Sequence, residues 1–334
     1  MNKLRAPRNR TLTVPQNDMM RLNKKIFFPK DKPFVLKDII NKTICADLLS
    51  VINNLPENSI DLLIIDPPYN LDKNFNGFKF SKTNDENYID YLNSWFPKLL
   101  RTLKNTGSVY ICGDWKSTFC LYQIMRDNLI IRNRIIWQRE KGRGAKSNWK
   151  NSSEDIWFGT KTEDYYFDVE SVKMKRKVLA PYKINGNPKD WNQEENGNFR
   201  LTYPSNFWDD ISVPYWSMPE NTDHPTQKPE KLIAKLIIAS CPKNGVVLDP
   251  FLGSGTTSVV AKKLSRNYIG IELNEEYCCW AEKRLENAEF DKNIQGYFNG
   301  VFWERNSLNM QKKELVKKDY NTDFFEGSYN VGNN

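Results

Sequence analysis

Apolar residues in this chain fall into a small number of short runs separated by long polar stretches, and the runs carry two different periods. Ile60-Asp61-Leu62-Leu63-Ile64-Ile65 and Val246-Val247-Leu248 are short and rich in branched side chains, with no polar alternation. Such runs are expected of strands covered on both faces in a parallel sheet. Residues 107–112 and 267–272 read the same way. Between them lie segments of helical spacing. Ile89, Leu92, Trp95, Phe96, Leu99 and Leu100 place one apolar stripe on a helix over residues 88–103, and Leu232, Ile233, Leu236 and Ile237 do so over residues 229–240. Further helices are predicted over residues 119–125, 258–264 and 277–287. Residues 43–49 read as a strand turning into a short helix, with Asp47 at the junction, where it could serve as an N-cap. Alternation of strands and helices predicts an α/β architecture.

Two strand ends carry candidate chemistry. The first apolar run stops at Asp66-Pro67-Pro68-Tyr69. Neither proline can donate to a sheet ladder, and both fix φ, so the carbonyls around them are held rigidly. The stretch delivers a carboxylate, two stiff residues and an aromatic ring to the carboxyl edge of the sheet, where open α/β sheets bind ligands. A carboxylate and a rigid carbonyl are two acceptors, which suits the two protons of an exocyclic NH2 group. Tyr69 offers a face for stacking a nucleobase drawn out of a duplex. The bland alternative is an ordinary strand end with a Pro-Pro turn.

The second strand end is Asp249-Pro250-Phe251-Leu252-Gly253-Ser254-Gly255-Thr256-Thr257. Its glycines permit a tight turn and close approach to a ligand, but it is neither G-x-G-x-x-G nor a Walker loop, which disfavours a phosphate cradle. The next strand ends in Glu272, 19 positions after Gly253 (272 − 253), near the spacing at which an acid receives a ribose diol. A nucleoside ligand with no obligatory phosphate fits S-adenosyl-L-methionine.

Together and in this order, the two motifs resemble the amino-methyltransferases of DNA, of restriction–modification type. The tetrad is similar to that family's catalytic motif, and the stretch from Asp249 to Thr257 to its S-adenosylmethionine motif. Catalytic motif first and cofactor motif late is the order of the β class. The resemblance extends to His224-Pro225-Thr226-Gln227-Lys228-Pro229, to residues 44–49, and to the pair formed by residues 133–137 and 154–158, covering roughly residues 38–290. It implies an α/β, circularly permuted Rossmann-like methyltransferase fold with a mostly parallel seven-stranded sheet and an inserted target-recognition region. It also implies Asp66, Pro67, Pro68 and Tyr69 as the catalytic set. The cofactor set would be Asp47, accepting from the adenine amine of the cofactor, with His224, Thr226, Lys228, Asp249, Phe251, Gly253, Ser254, Gly255, Thr256, Thr257 and Glu272. The expected reaction is methyl transfer to the N6 amine of a flipped adenine within a short recognition sequence, since a leading Asp in the tetrad goes mostly with adenine. The alternatives are the N4 amine of cytosine, an RNA or protein amine, and a non-catalytic DNA-binding module. A companion restriction endonuclease and a homodimer are both compatible with the family.

Composition narrows this further. The formal charge of +8 favours a polyanionic partner, here double-stranded DNA. Arg139, Lys141, Arg143, Lys146 and Lys150 form a basic loop expected to contact the DNA backbone, and Lys173, Lys175 and Arg176 are expected to reach phosphates or base edges. Six scattered cysteines without a Cys-x-x-Cys, and a single histidine, argue against a zinc site. The absence of any Pro-Cys dipeptide argues against methylation of cytosine carbon-5. No secretory signal or apolar stretch of membrane-spanning length is present, so a cytoplasmic protein with reduced thiols and no membrane association is expected. Residues 1–36 read as a basic arm, 37–160 as the catalytic half, 161–222 as the target-recognition region, 223–290 as the cofactor half and 291–334 as a polar tail. Residues 70–87 read as a polar loop over the site.

Overall fold

A computed structural model describes residues 5–30, 32–75, 77–139, 146–195 and 197–304. The chain builds one large sheet from β1 (Lys42–Cys45), β2 (Ile60–Ile65), β3 (Leu103–Gly113), β4 (Ile130–Gln138), β5 (Ser153–Thr160), β6 (Phe207–Trp208), β7 (Val246–Asp249) and β8 (Asn267–Glu272). Their spatial order is β1-β8-β7-β2-β3-β5-β4-β6. β5 runs antiparallel to both its neighbours and every other pairing is parallel. Seven of these strands were expected; the eighth, β6, is a two-residue addition at the edge, too short to leave a periodic trace.

Both faces of the sheet are covered, which explains the continuous apolar runs. Leu62 and Ile64 of β2 enter the core beneath α4 (Glu230–Ser240), α5 (Thr256–Lys263) and α6 (Glu275–Phe290), whereas Leu63 and Ile65 enter the opposite core beneath α2 (Asp85–Leu100) and α3 (Thr118–Asn128). The single charge in β2, Asp61, lies at the far end of the strand. It accepts from the Val246 N–H (2.8 Å) and from Lys104 (2.9 Å), joining the starts of β2 and β7. From this centre the connections run out in opposite directions: β2 leads on to β3, and β7 leads on to β8. The carboxyl ends of β2 and β7 therefore open a crevice at the topological switch point.

The expected basic arm is built into the fold. Residues Gln16–Asn23 form α1, whose Leu22, together with Ile26, packs on Cys278 and Cys279 of α6. Arg21 and Lys25 are held by Glu286, and Asp18 by Lys283 (2.9 Å). Phe27 then exchanges backbone bonds with Thr43 and Cys45 of β1 (2.8 and 3.0 Å), covering that edge of the sheet. Leu22 and Ile26 fall four apart on one helical face, but their neighbours are polar.

The inserted region folds as a second sheet, and its boundaries differ from those expected. Its five strands take the order Asn192–Glu194, Gly197–Thr202, Met174–Lys177, Val301–Trp303, Tyr297–Phe298. The last two come from the segment expected to be a polar tail. Lys231 and Lys235 of α4 clamp the junction: both pair with the buried Asp210 (2.6 and 2.9 Å), and Lys231 also donates to the Trp303 carbonyl. The remainder of the expected tail, residues 305–334, lies outside the described residues. Among those described, no helix is long and apolar enough to cross a membrane.

Candidate active site

The crevice holds a cavity of about 370 Å³. β2 delivers Asp66, Pro67, Pro68 and Tyr69 to one wall. The turn after β7 contributes Phe251 and Gly253, β8 ends in Glu272, and Asp47 follows β1. His224 and Thr226 close another side. Tyr277, at the start of α6, and Tyr91 and Trp95 of α2 add aromatic surface that the sequence reading did not assign to the site. Residues 70–87 are more ordered than a polar loop. Lys73–Phe75 and Phe78–Phe80 pair as a hairpin. Its base is tied by Asn70, whose side-chain oxygen accepts from the Thr83 N–H (2.7 Å) while its amide donates to the Thr83 carbonyl (2.9 Å). Leu71, Lys73, Lys79 and Phe80 thereby line the cavity.

The acidic residues are fixed by backbone donors. Gly253 N–H donates to Glu272 Oε2 (2.7 Å) and Asn274 N–H to Oε1 (2.9 Å), and burial pushes the Glu272 carboxyl up. Asp47 accepts from the Leu49 N–H (2.7 Å), so it is the N-cap of the short helix Leu48–Val51 as well as part of the cavity wall. Asp249 lies beneath the cavity. It accepts from the Phe251 N–H (3.0 Å) and the Thr257 hydroxyl (2.6 Å), and its burial pushes the carboxyl up to about 7. Ser254, Gly255, Thr256 and Thr257 belong to the turn beneath it; Ser254, Thr256 and Thr257 line a separate narrow cleft of about 30 Å³ with Asp249 and Lys228. Their placement supports the glycine turn from below. Arg284 of α6 reinforces it, donating to the Ser254 carbonyl (3.0 Å) and the Thr256 hydroxyl (2.9 Å) while pairing with Glu230 (3.1 Å).

His224 stacks edge-on against Tyr277, with ring centroids 4.6 Å apart, and burial lowers its pKa to about 4. It is therefore a neutral wall, not a cation. Gln227 folds the surrounding loop by accepting from the Thr222 N–H (2.8 Å) and hydroxyl (2.6 Å).

The placement of Lys228 differs from that of the expected cofactor residues in the cavity wall. Its ammonium donates to Asp66 Oδ2 at 2.6 Å and to the Tyr69 hydroxyl at 3.2 Å, and lies 3.3 Å from Glu154 Oε2. Tyr69 in turn donates to Asp66 Oδ1 (2.8 Å), and Arg139 pairs with the other oxygen of Glu154. The Pro68 carbonyl is taken by the Tyr88 hydroxyl (3.0 Å).

Of the residues expected to touch DNA, Arg139 is thus turned inward to Glu154. Lys173 pairs with Glu170 and Lys175 with Glu194, both at 2.6 Å, because the fold places acids beside them. Arg176 is half-buried on the inserted sheet, Lys146 and Lys150 are exposed beside a Trp149 that is 96% exposed, and Lys141 and Arg143 lie outside the described residues.

The family model described as "DNA methylase" matches residues 60–283, from β2 through most of α6. The chain belongs to this family of N6/N4 DNA methylases. Type II methyltransferase M.HpaI of Haemophilus parainfluenzae is 34% identical to it over 253 residues, 75% of each chain. DNA adenine methyltransferase YhdJ of Escherichia coli (strain K12) is 34% identical over 285 residues, 82% of this chain and 94% of that one. In fold, this methylase is similar to the PvuII cytosine-N4-specific DNA methyltransferase. The TM-score is 0.54 at 18% identity, with 79% and 94% of the two chains covered. It is also similar to a Thermus thermophilus DNA modification methylase in complex with S-adenosyl-L-methionine, with a TM-score of 0.50 at 20% identity and coverage of 79% and 98%.

Proposed function

We propose that this methylase transfers a methyl group from S-adenosylmethionine to the N6 amine of adenine, within a short sequence of double-stranded DNA and with the target base turned out of the helix. One observation carries the reading. The Asp66-Pro67-Pro68-Tyr69 wall and the glycine turn, roughly 180 residues apart in the chain, face the same cavity at the switch point of the sheet.

The cavity suits the cofactor. Asp47, Asp66 and Glu272 line it with carboxylates, which fits a cationic ligand bearing a ribose diol, and Phe251 and Tyr277 supply aromatic surface for its ring. The Glu272 oxygens, each already holding one backbone N–H, retain lone pairs for the two hydroxyls. When bound, S-adenosylmethionine supplies a methyl group made electrophilic by a sulfonium centre.

The protein has to make an amine reactive. The lone pair of an exocyclic amine is delocalised into its ring, so the nitrogen is a poor nucleophile. Asp66 and the Pro67 carbonyl accept its two N–H groups, drawing the nitrogen toward tetrahedral geometry and localising the lone pair. Holding it in line contributes on the order of 7–11 kcal/mol of barrier lowering. The same acceptors stabilise the positive charge that develops on nitrogen. The methylated nitrogen is acidic, so its proton can leave late and no strong base is required. Tyr69 confines the base, and His224, neutral and buried, adds no charge to oppose the sulfonium.

Adenine is favoured by the leading Asp of the tetrad and by the kinship with a DNA adenine methyltransferase. A role beside a restriction endonuclease of matching specificity follows the type II relatives. A homodimer would present two such sites to DNA. The exposed Lys146 and Lys150 are the described candidates from the basic loop for backbone contact, to which binding affinity should respond through its salt dependence.

The test uses purified protein, S-adenosylmethionine and unmethylated plasmid, with the DNA digested to nucleosides for mass spectrometry. N6-methyladenine is expected. N4-methylcytosine would overturn the choice of base. Neither product, with cofactor binding intact by calorimetry, would overturn DNA as the substrate.

A further inference from the structure

We propose that Lys228 is a positioning residue for methyl transfer: its ammonium, held from behind by Glu154, fixes the Asp66 carboxylate and the Tyr69 hydroxyl in the arrangement that receives the target amine. This rests on the function proposed above and adds a role for a side chain outside the tetrad.

The geometry uses the ammonium completely. Three donors meet three oxygens: Asp66 Oδ2, the Tyr69 hydroxyl and Glu154 Oε2, at 2.6, 3.2 and 3.3 Å. Lys228 and Glu154 are buried, whereas Asp66 faces the cavity and keeps 21% of its side chain exposed. The carboxylate is therefore pinned from the protein side and open on the ligand side. Tyr69, donating to Asp66 Oδ1, is pinned by the same ammonium.

The charges alternate along the row: Arg139, Glu154, Lys228, Asp66. Two cations and two anions compensate one another in a buried setting. This is the condition under which a charged group can remain inside a protein without neutralising. A lysine so paired is a poor proton acceptor, which excludes Lys228 as the base; its environment pushes its pKa up despite burial, through Asp66 and then Glu154. Nor is it a wall of the large cavity. It lines the narrow cleft beneath, with Cys112 and Asp249, so its contact with the chemistry runs through Asp66.

A freely rotating carboxylate could accept the amine in many poses, few of them in line with the methyl group. Loss of the ammonium should therefore appear in the rate of transfer and not in cofactor affinity. In Lys228→Met, single-turnover methyl transfer to plasmid DNA is expected to fall about 10²-fold, the scale of a misplaced reacting group. The S-adenosylmethionine Kd by calorimetry and the KM for DNA should each stay within about threefold of the wild type, a range small against that rate effect. In Lys228→Ala, added methylammonium should restore the rate saturably, which filling a void with an uncharged molecule of similar size would not do. Lys228→Arg should not restore it, because a planar guanidinium cannot place three donors around one point.

Turnover of Lys228→Met near the wild-type level would overturn the proposal. So would loss of cofactor binding at unchanged turnover, or a folded Lys228→Ala that methylammonium leaves inactive. If these variants fail to fold, Glu154→Gln decides: a lowered transfer rate at unchanged cofactor affinity is expected, and an unchanged rate overturns the role. Failure of the wild type to methylate DNA would instead sink the function proposed above, independently of the Lys228 variants.

Discussion

Gly255 offers a demanding test of how the cofactor turn is held. It is the N-cap of α5 in a left-handed conformation, with φ 87° and ψ 17°. A Cβ placed there would sit 2.5 Å from Ala281 Cβ and 2.7 Å from Ala281 Cα on α6. Ordinary apolar contacts close at about 4 Å, so the overlap exceeds about 1 Å and involves backbone that cannot rotate away. Gly255→Ala therefore incurs two costs: about 1–2 kcal/mol for the left-handed backbone and about 1–3 kcal/mol for overpacking. A total of about 2–5 kcal/mol lowers Tm by roughly 4–20 °C in a domain of this size. The overlap also forces α5 and α6 apart, loosening Arg284 from Ser254 and Thr256, so S-adenosylmethionine affinity should fall with stability. Thermal unfolding followed by circular dichroism, with and without cofactor, reads both effects. The matched control is Gly300→Ala, where φ is 76° and nothing lies within 4 Å of the added carbon. It should show the backbone cost alone. If Gly255→Ala melts no lower than Gly300→Ala, the steric reasoning is refuted.

Two further predictions concern the carboxylates. Asp66→Ala should lower methyl transfer from labelled S-adenosylmethionine by at least about 10²-fold, and calorimetry should find cofactor binding nearly intact; near-normal turnover would remove Asp66 from the mechanism. Asp249, raised by burial to about 7 from 3.8, contributes stability that is fully present below the unfolded pKa and lost as pH rises through the folded one. At about 1.4 kcal/mol per unit this amounts to a few kcal/mol. The Tm of the wild type should accordingly decline between about pH 5 and 8 more steeply than that of Asp249→Asn. Glu220, also raised to about 7, contributes with the same sign in both proteins and leaves the difference to Asp249.

What could be read from the sequence depended on whether a feature was local. β2 announced itself because both its faces are covered, so all six of its residues are buried and apolar alternation is lost. The prolines after it and the glycines after β7 are local conformational constraints, visible without knowledge of the partner element. α1 was missed because only one narrow strip of it is buried, and its charges pair with residues 265 positions away. The hairpin at Lys73–Phe80 is held by Asn70 and Thr83, polar residues with no periodic signature. The placement of Lys228 was hidden for the same reason. Nothing local relates positions 66, 154 and 228, and only the sheet order brings the end of β2, the start of β5 and the loop before α4 together. Conversely, the basic residues Arg139, Lys173 and Lys175 looked available to DNA in the sequence, whereas each has an acidic neighbour supplied by the folded structure.

The sheet order also dictates when this protein can begin to fold. β1 and β2 are synthesised early, yet they are not neighbours: β8 and β7, made roughly 180 residues later, lie between them. Until that last quarter of the chain leaves the ribosome, β1 and β2 each present an unpaired apolar edge, a template for association with other chains. At about 5–20 residues per second the interval lasts roughly 10–40 s. The inserted sheet waits longer still, because Val301–Trp303 supplies the strand beside Met174–Lys177. A methylase of this topology therefore reaches its native state only after translation is nearly complete, and its yield in a cell should depend on chaperones that shelter β-edges during that delay.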